Sequence, residues 1–296
     1  MRTVRVFFTG IATLALVGGL PLITAAQDEI LTPELQTGFV YGVDDPARQV
    51  LHVYTLESRE TPRPAVIMPH GGGLISGSPD MDQGWGRKIA RQGYVTIMVG
   101  YRLFNPETGA NPWPAQLDDA QRAVRWVRAH ADEFDIDPER ICAIGRSSGG
   151  HLAALLGTTE SFGVLDPDLA GLSSRVDCVV SVAGDVDVTV SYPDPFWTGV
   201  FEGMFGATLE EDRGAWEAAS PVYHVDDETV PFLILHGTHD DEVPVEAARN
   251  LADALAAAER EFVHAEVPAG HMSLEGHAAV DDLTRAFLAY QLEPER

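Results

Sequence analysis

The sequence has 296 residues, of which 45% are hydrophobic and 22% are charged. This length and hydrophobic content are enough for one large packed domain, and the composition excludes collagen-like, coiled-coil and low-complexity chains. Acidic residues outnumber basic residues 45 to 20, giving a formal net charge of -25. Because this charge repels phosphate backbones and anionic lipid surfaces, we expect no nucleic-acid partner.

The first 26 residues have the pattern of a secretory signal peptide. Arg2 and Arg5 precede an apolar stretch over residues 6–20, and small residues end the segment at 24–26. The stretch is interrupted by threonines and glycines and is short for a membrane span. We therefore expect an exported protein, periplasmic or extracellular, with no membrane span once residues 1–26 are removed. An uncleaved anchor is the alternative.

After this leader, short apolar runs alternate with segments of helical periodicity. Strands are predicted at residues 50–56, 65–68, 94–99, 140–144, 176–182, 230–235 and 261–267. Helices are predicted at residues 85–92, 115–134, 148–156, 245–258 and 276–292. The alternation is typical of an α/β fold with a doubly wound, mostly parallel sheet. Since no repeat or linker divides the chain, residues 27–296 are expected to form a single domain.

A glycine-rich loop follows the predicted strand at 65–68. His70 precedes Gly71, Gly72 and Gly73, and such a run leaves backbone amides open to a ligand oxygen. We expect Gly71 and Gly72 to donate hydrogen bonds in an oxyanion hole, with His70 bracing the loop. A phosphate-binding loop is the competing interpretation, but the Gly-Lys-Ser/Thr ending of such loops is absent.

The pattern Gly145-Arg146-Ser147-Ser148-Gly149 stands between a predicted strand and a predicted helix. This is the context of a nucleophile elbow, in which glycines permit a sharp turn and the helix N-terminus offers free N–H groups. Ser147 is therefore the predicted nucleophile, and the N–H of Ser148 is the third predicted oxyanion donor. A glycine-rich turn with a capping serine is the alternative.

The two cysteines, Cys142 and Cys178, both lie in predicted strands. Neither has the spacing of a metal site. We expect two buried free thiols, and a single bridge formed after export is the alternative.

Residues from about 184 to 220 depart from the strand–helix alternation. The segment is acidic and contains the large apolar residues Tyr192, Phe196, Trp197, Phe201, Met204, Phe205 and Trp216. A connection of this length indicates a cap-like insertion that serves as a lid. A peripheral helical insertion that packs its own aromatic residues is equally compatible. The carboxylates of Asp185 and Asp187 within it are interpreted as solvated surface rather than as a cation site.

A serine nucleophile needs a base, and the base needs an acid to orient it. His271 follows the predicted strand at 261–267, at the end where ligands meet open parallel sheets, so it is the predicted base. Asp240 follows the strand at 230–235 and is the preferred acid, with Asp241 as its main rival. Packing or exposure explains the other histidines considered, which are His52, His130, His151 and His264.

These motifs give the chain from residue 39 to residue 292 a resemblance to α/β-hydrolases of the esterase branch with a His-Gly-Gly-Gly loop, similar to hormone-sensitive-lipase-like and feruloyl/acetylxylan-esterase-like enzymes. The resemblance implies a triad of Ser147, Asp240 and His271, in the chain order of that fold. It also implies that the backbone N–H groups of Gly71, Gly72 and Ser148 form the oxyanion hole. It favours Asp240 over Asp241, because the family's His-Gly-Thr-x-Asp-x-x-Val-Pro pattern places Asp240 as the acid.

Two residues depart from the family pattern and leave the substrate open. Leu74 stands where an aromatic residue is frequent, and Arg146 stands where a small residue is frequent. A charged Arg146 could pair with a nearby acid or contact a substrate carboxylate.

The sequence thus predicts a serine carboxylic-ester hydrolase that forms an acyl-enzyme and needs no cofactor or metal. The expected substrate is a small-molecule or carbohydrate-linked ester. A peptidase, amidase or formamidase of the same fold is the first alternative, and a non-catalytic binding protein is the second. The oligomeric state is left open.

Overall fold

The computed structural model of the protein describes residues 4–7, 31–57, 61–161 and 166–292. The predicted leader, residues 1–26, lies outside this part of the chain except for the short strand Val4–Phe7. None of the helices in the described part is long and apolar enough to cross a membrane.

The described residues form one nine-stranded sheet with the spatial order β1-β9-β8-β7-β6-β4-β5-β3-β2. The strands are β1 Val4–Phe7, β2 Glu34–Val40, β3 Val50–Thr55, β4 Arg63–Pro69, β5 Val95–Val99, β6 Ile136–Arg146, β7 Cys178–Val182, β8 Phe232–Gly237 and β9 Phe262–Val267. Strand β3 is antiparallel to both of its neighbours, β2 and β5, and the other pairs are parallel. The predicted mostly parallel sheet is therefore confirmed.

Helices cover both faces of the sheet, as predicted. They are α1 Gln83–Ala90, α2 Ala115–Ala129, α3 Ser148–Thr158, α4 Pro195–Phe205, α5 Arg213–Ala218, α6 Val245–Ala257 and α7 Ala278–Leu292. Helices α1 and α7 contribute to the core on one face, and α2, α3 and α6 contribute to the core on the other. The predicted helix at 115–134 is divided, because α2 is followed by a separate 3-10 helix, Ala131–Phe134.

The central strands are buried along their whole length, which is the reason they are continuous apolar runs in the sequence. All residues of β4, β5, β7 and β8 are buried. Because β6, β8 and β9 are mutually parallel members of this sheet, their carboxyl ends meet at one edge. The segments that follow these strands carry Ser147, Asp240 and His271.

The segment at 184–220 contains α4 and α5, which pack aromatic residues against each other. The rings of Phe205 and Trp216 lie 5.1 Å apart. The interpretation of the acidic residues here as solvated surface was wrong, because Asp185 is 6% exposed and Asp187 is 3% exposed. Both carboxylates are buried because the fold supplies donors to them: Tyr192 to Asp185, and Thr189 and Asn250 to Asp187.

Cys142 and Cys178 form a disulfide, so the expectation of two free thiols was wrong. The two residues are register partners on the neighbouring parallel strands β6 and β7, and their Cα atoms are 4.6 Å apart. This spacing lies in the usual range for a bridge. Neither the pairing of the strands nor their register can be obtained from the spacing of the cysteines.

We predict that peptides containing Cys142 and Cys178 remain linked when the protein is digested without reductant, because the strand register places them side by side. Removing the bridge in the Cys142→Ala/Cys178→Ala double variant should lower the free energy of unfolding by about 2–4 kcal/mol. Mass spectrometry and urea unfolding measure the two outcomes. Titration of two free thiols in the denatured wild-type protein would contradict the prediction.

Candidate active site

Ser147 lies in a tight turn between β6 and α3. Its backbone angles are φ 55° and ψ -131°, a region that residues with a side chain rarely occupy. Its N–H donates to the carbonyl of Val182 at 2.9 Å, which fixes the turn to the end of β7. A Cβ atom on Gly145 would overlap the backbone of Gly149, and one on Gly149 would overlap the carbonyl of Pro69. The turn therefore requires glycine at both flanking positions.

The glycine-rich loop after β4 lies directly against this turn. The position that a Cβ atom on Gly71 would take is 3.6 Å from the Cβ atom of Ser147. The loop backbone has positive φ angles at Gly72 and Gly73, of 118° and 62°, which glycine adopts without steric cost. The chain can therefore turn sharply beside Ser147.

His70 and Tyr101 stabilise the conformation of the glycine-rich loop. Its Nδ1 donates to the carbonyl of Gly71 at 2.6 Å, and its ring stacks on Tyr101 with a centroid distance of 4.2 Å. The hydroxyl of Tyr101 donates to the carbonyl of His70 at 2.7 Å. Burial lowers the pKa of His70 to about 4, so the ring is neutral at pH 7. These contacts support the interpretation of His70 as a brace.

Three backbone N–H groups around Ser147 have no hydrogen-bond acceptor among the described residues. They belong to Gly71, Gly72 and Ser148. Ser148 is the first residue of α3, and the first N–H groups of a helix have no partner within the helix. This arrangement can bind an oxygen that carries negative charge.

His271 and Asp240 form a buried hydrogen-bonded pair. Nδ1 of His271 is 2.8 Å from Oδ2 of Asp240, and the two side chains are 4% and 0% exposed. The other carboxylate oxygen accepts from the N–H groups of Glu242 and Val243 at 3.0 and 2.8 Å. Asp241, the rival acid, is exposed. Because the carboxylate accepts a hydrogen bond from Nδ1–H, Nε2 of the neutral His271 ring carries a free lone pair.

Burial and hydrogen bonding oppose each other in this pair. Burial alone would lower the pKa of His271, but the hydrogen bond to Asp240 and the charge of that carboxylate raise it above 6.5. Burial alone would raise the pKa of Asp240, but hydrogen bonds from His236 and His271 hold it well below its usual range. The acid is therefore ionised at neutral pH and stabilises a proton on His271.

His236 is a site residue that the sequence analysis did not identify. Its side chain is 1% exposed, and its Nε2 lies 3.4 Å from Oδ2 of Asp240 while donating to the carbonyl of Val243 at 3.0 Å. It therefore fixes both the acid and the turn that follows. The sequence signal was the histidine of the His-Gly-Thr-x-Asp-x-x-Val-Pro pattern, which lies on β8 four residues before Asp240.

A narrow pocket with a free volume of about 10 Å³ opens beside Ser147. Its lining residues are Gly73, Leu74, Ser147, Ser148, His151, Asp185, Trp197, Phe201, Glu242 and Val243. The indole of Trp197, from α4, packs directly on Gly73, where a Cβ atom would overlap it. Among the described residues, no cluster of three His, Cys, Asp or Glu side chains could hold a metal ion.

Arg146 does not line the pocket beside Ser147. Its guanidinium donates to Glu275 at 2.8 Å, in the segment that follows His271. It also lines a larger cavity of about 280 Å³ together with residues of α1 and α7. Arg146 thus pairs with a nearby acid, which was one of the two roles considered for it, and it links the turn of Ser147 to the segment of His271.

We predict that replacing the acid in the Asp240→Asn variant lowers the pKa of His271, because burial then acts without the opposing carboxylate. An NMR titration of the histidine ring nitrogens measures this pKa without requiring catalysis. The control is Asp241→Asn, which removes the exposed neighbouring charge and should leave the pKa of His271 nearly unchanged. Equal shifts in the two variants would show that His271 responds only to general charge.

The chain is similar in sequence to curated esterases. It is 34% identical over 241 residues to the esterase LipC of Mycobacterium tuberculosis, a match that covers 78% of this chain and 58% of LipC. The chain spans about half the length of the curated relatives it matches.

Solved esterase structures are also similar to the chain. A truncated carbohydrate esterase from gut microbiota superposes with a TM-score of 0.78 and 26% identity, covering 90% of this chain and 98% of that protein. Esterase 2 of Thermogutta terrifontis, phosphonylated by sarin, gives a TM-score of 0.72 and 26% identity, covering 90% and 98%. The α/β-hydrolase fold is thereby confirmed. The family model described as BD-FAE matches residues 51–255, and the chain therefore belongs to the BD-FAE family.

Proposed function

We propose that the protein is a serine carboxylic-ester hydrolase with Ser147 as nucleophile, His271 as base and Asp240 as acid. The observation that carries the proposal is the buried His271–Asp240 pair, which follows β8 and β9 at the same edge of the sheet as the strained turn of Ser147. A buried, oriented imidazole at the edge that also presents a serine is the arrangement that activates a hydroxyl.

The reaction has two half-reactions in this proposal. Nε2 of His271 accepts the proton of Ser147 as the oxygen attacks the ester carbonyl, and the charge on the carbonyl oxygen is stabilised by the N–H groups of Gly71, Gly72 and Ser148. The proton then passes to the departing alcohol and an acyl-enzyme remains. Water, deprotonated by His271, attacks the acyl carbon, Ser147 regains its proton, and the carboxylic acid leaves.

The small size of the pocket favours a short acyl group in the substrate. Its free volume of about 10 Å³ is near that of one water-sized probe, and Trp197 closes one side of it over Gly73. We therefore propose short-chain esters, with carbohydrate-linked esters included, as the substrates. The resemblance to a carbohydrate esterase supports the second part of this proposal.

Export is proposed on two grounds. Residues 1–26 have the composition of a secretory leader, and the disulfide between Cys142 and Cys178 is typical of proteins outside the reducing cytosol.

We predict that the wild-type protein hydrolyses short-chain esters and that Ser147→Ala lowers kcat by at least about a thousandfold, because the covalent step is lost. The activity of the wild type should rise with pH as His271 loses its proton, with a midpoint above 6.5, since the pKa of His271 is raised. The control is Ser78→Ala, which removes a hydroxyl that contacts Asp80 on the surface.

Matched ester and anilide substrates test the reaction class in the same assay. Faster turnover of the anilide would favour an amidase, and full ester hydrolysis by Ser147→Ala would contradict the proposed nucleophile.

We predict that kcat/KM falls at least about tenfold from acetyl to hexanoyl esters of one alcohol, because each additional methylene would have to displace packed side chains that line the pocket. Trp197→Ala should restore much of the loss by opening the pocket above Gly73. The control is Phe196→Ala, which replaces the neighbouring aromatic residue on α4, a residue that is 54% exposed. A chain-length profile that is the same in wild type and Trp197→Ala would show that this indole does not limit the acyl group.

A further inference from the structure

The pocket beside Ser147 contains a buried acid that the proposed mechanism does not use. Asp185 follows β7, is 6% exposed and lines this pocket. Its Oδ1 accepts a hydrogen bond from the hydroxyl of Tyr192 at 3.0 Å. Among the described residues, Oδ2 of Asp185 accepts no hydrogen bond. One carboxylate oxygen is therefore available to a ligand.

His151 also lines this pocket and carries a second acceptor without a partner in the described part of the chain. It is fully buried, and its Nε2 donates to the carbonyl of Ala219 at 2.6 Å. The carbonyl can only accept, so the ring proton is on Nε2 and Nδ1 is an acceptor. Nδ1 has no partner among the described residues. Burial lowers the pKa of His151 to about 4, so the ring stays neutral and Nδ1 keeps its lone pair.

The ionisable side chains that line the pocket are therefore acceptors. Glu242 adds another carboxylate to its lining, and no lysine or arginine is among the described residues that line it. A buried acceptor without a donor is costly, and a ligand that donates to it recovers that cost. The aromatic rings of Trp197 and Phe201 can also contact a small cation. A carboxylate would be repelled here, and a hydrocarbon would leave the acceptors unpaired.

We propose that Asp185 and His151 form a specificity element that selects esters whose short acyl group carries a hydrogen-bond donor, either a hydroxyl or an ammonium, over hydrocarbon esters of the same size. This inference rests on the proposed ester hydrolysis at Ser147. It assigns the two residues to substrate recognition and gives neither a role in proton transfer.

The charge of Asp185 makes this selection dependent on pH. Burial raises the pKa of Asp185 to about 6. The charges of His271 and His236 and the hydrogen bond from Tyr192 act in the opposite direction and lower this pKa, whereas the charge of Asp240 raises it. The carboxylate is charged above this pKa and neutral below it. The preference for a donor, above all for an ammonium, is therefore strong at pH 7 and weak at pH 5.

Three esters of equal size test the proposal: ethyl propionate, ethyl glycolate and glycine ethyl ester. They differ only in a methyl, hydroxyl or ammonium group at the end of the acyl chain. Each kcat/KM is divided by the rate constant for hydroxide-catalysed hydrolysis of the same ester, which removes intrinsic reactivity. For the wild type at pH 7 we expect a preference of at least about tenfold over propionate for one or both donor esters, falling several-fold at pH 5.

The variant is Asp185→Asn, which keeps the shape of the side chain and an acceptor for Tyr192 but replaces the free acceptor with a donor. We expect it to lose most of the preference, measured as the ratio of the normalised kcat/KM of each donor ester to that of propionate. The control is Asp187→Asn, which removes a buried carboxylate two residues away that is bound by Thr189 and Asn250. This control should keep the preference.

Each outcome decides a separate point. A preference for glycolate alone identifies a hydroxyl as the recognised group, and a preference for the glycine ester alone identifies an ammonium. Equal normalised rates for the three esters overturn the inference while leaving ester hydrolysis intact.

If Asp185→Asn does not fold, the wild-type ratios of kcat/KM decide, and ratios that stay constant from pH 5 to pH 7 overturn the inference. If none of the esters is hydrolysed, the proposed function fails and the inference fails with it.

Discussion

The hydrogen bond between His271 and the buried carboxylate of Asp240 is the interaction on which the proposed chemistry depends. A buried carboxylate is costly unless donors surround it, and here the His271 and His236 rings and the N–H groups of Glu242 and Val243 converge on it. The pair exists because β8 and β9 are parallel neighbours. The turns that follow these two strands therefore begin side by side, at the edge of the sheet where β6 ends and Ser147 follows.

Ser147 and His271 are held by different parts of the structure that meet at this edge. The turn of Ser147 is tied to β7 through the carbonyl of Val182 and to the segment after His271 through the ion pair of Arg146 and Glu275. The glycine loop is fixed from the other side by His70 and Tyr101. These contacts maintain a backbone conformation at Ser147 that would otherwise be unfavourable.

The sequence was sufficient for features that depend on local pattern. Buried parallel strands are apolar runs, and Ser147, His271 and the adjacent pair Asp240 and Asp241 could be proposed because they follow such runs. The choice of Asp240 over Asp241 also required the family pattern. Features that depend on neighbours in the sheet could not be predicted. The bridge of Cys142 and Cys178 requires the register of β6 and β7, and β2 is a largely exposed edge strand without an apolar run. The burial of Asp185 and the contact of His236 with Asp240 follow from turns that meet only in the folded chain.

The central claim is that Ser147, His271 and the N–H groups of Gly71, Gly72 and Ser148 act on one carbonyl group. The most direct measurement is a crystal structure of the protein after reaction with an organophosphonate ester. We expect phosphorus bonded to Oγ of Ser147, a phosphoryl oxygen within about 3 Å of those N–H groups, and Nε2 of His271 within hydrogen-bond distance of the adduct. An unmodified Ser147, or an adduct whose phosphoryl oxygen points to solvent with His271 out of reach, would contradict the account.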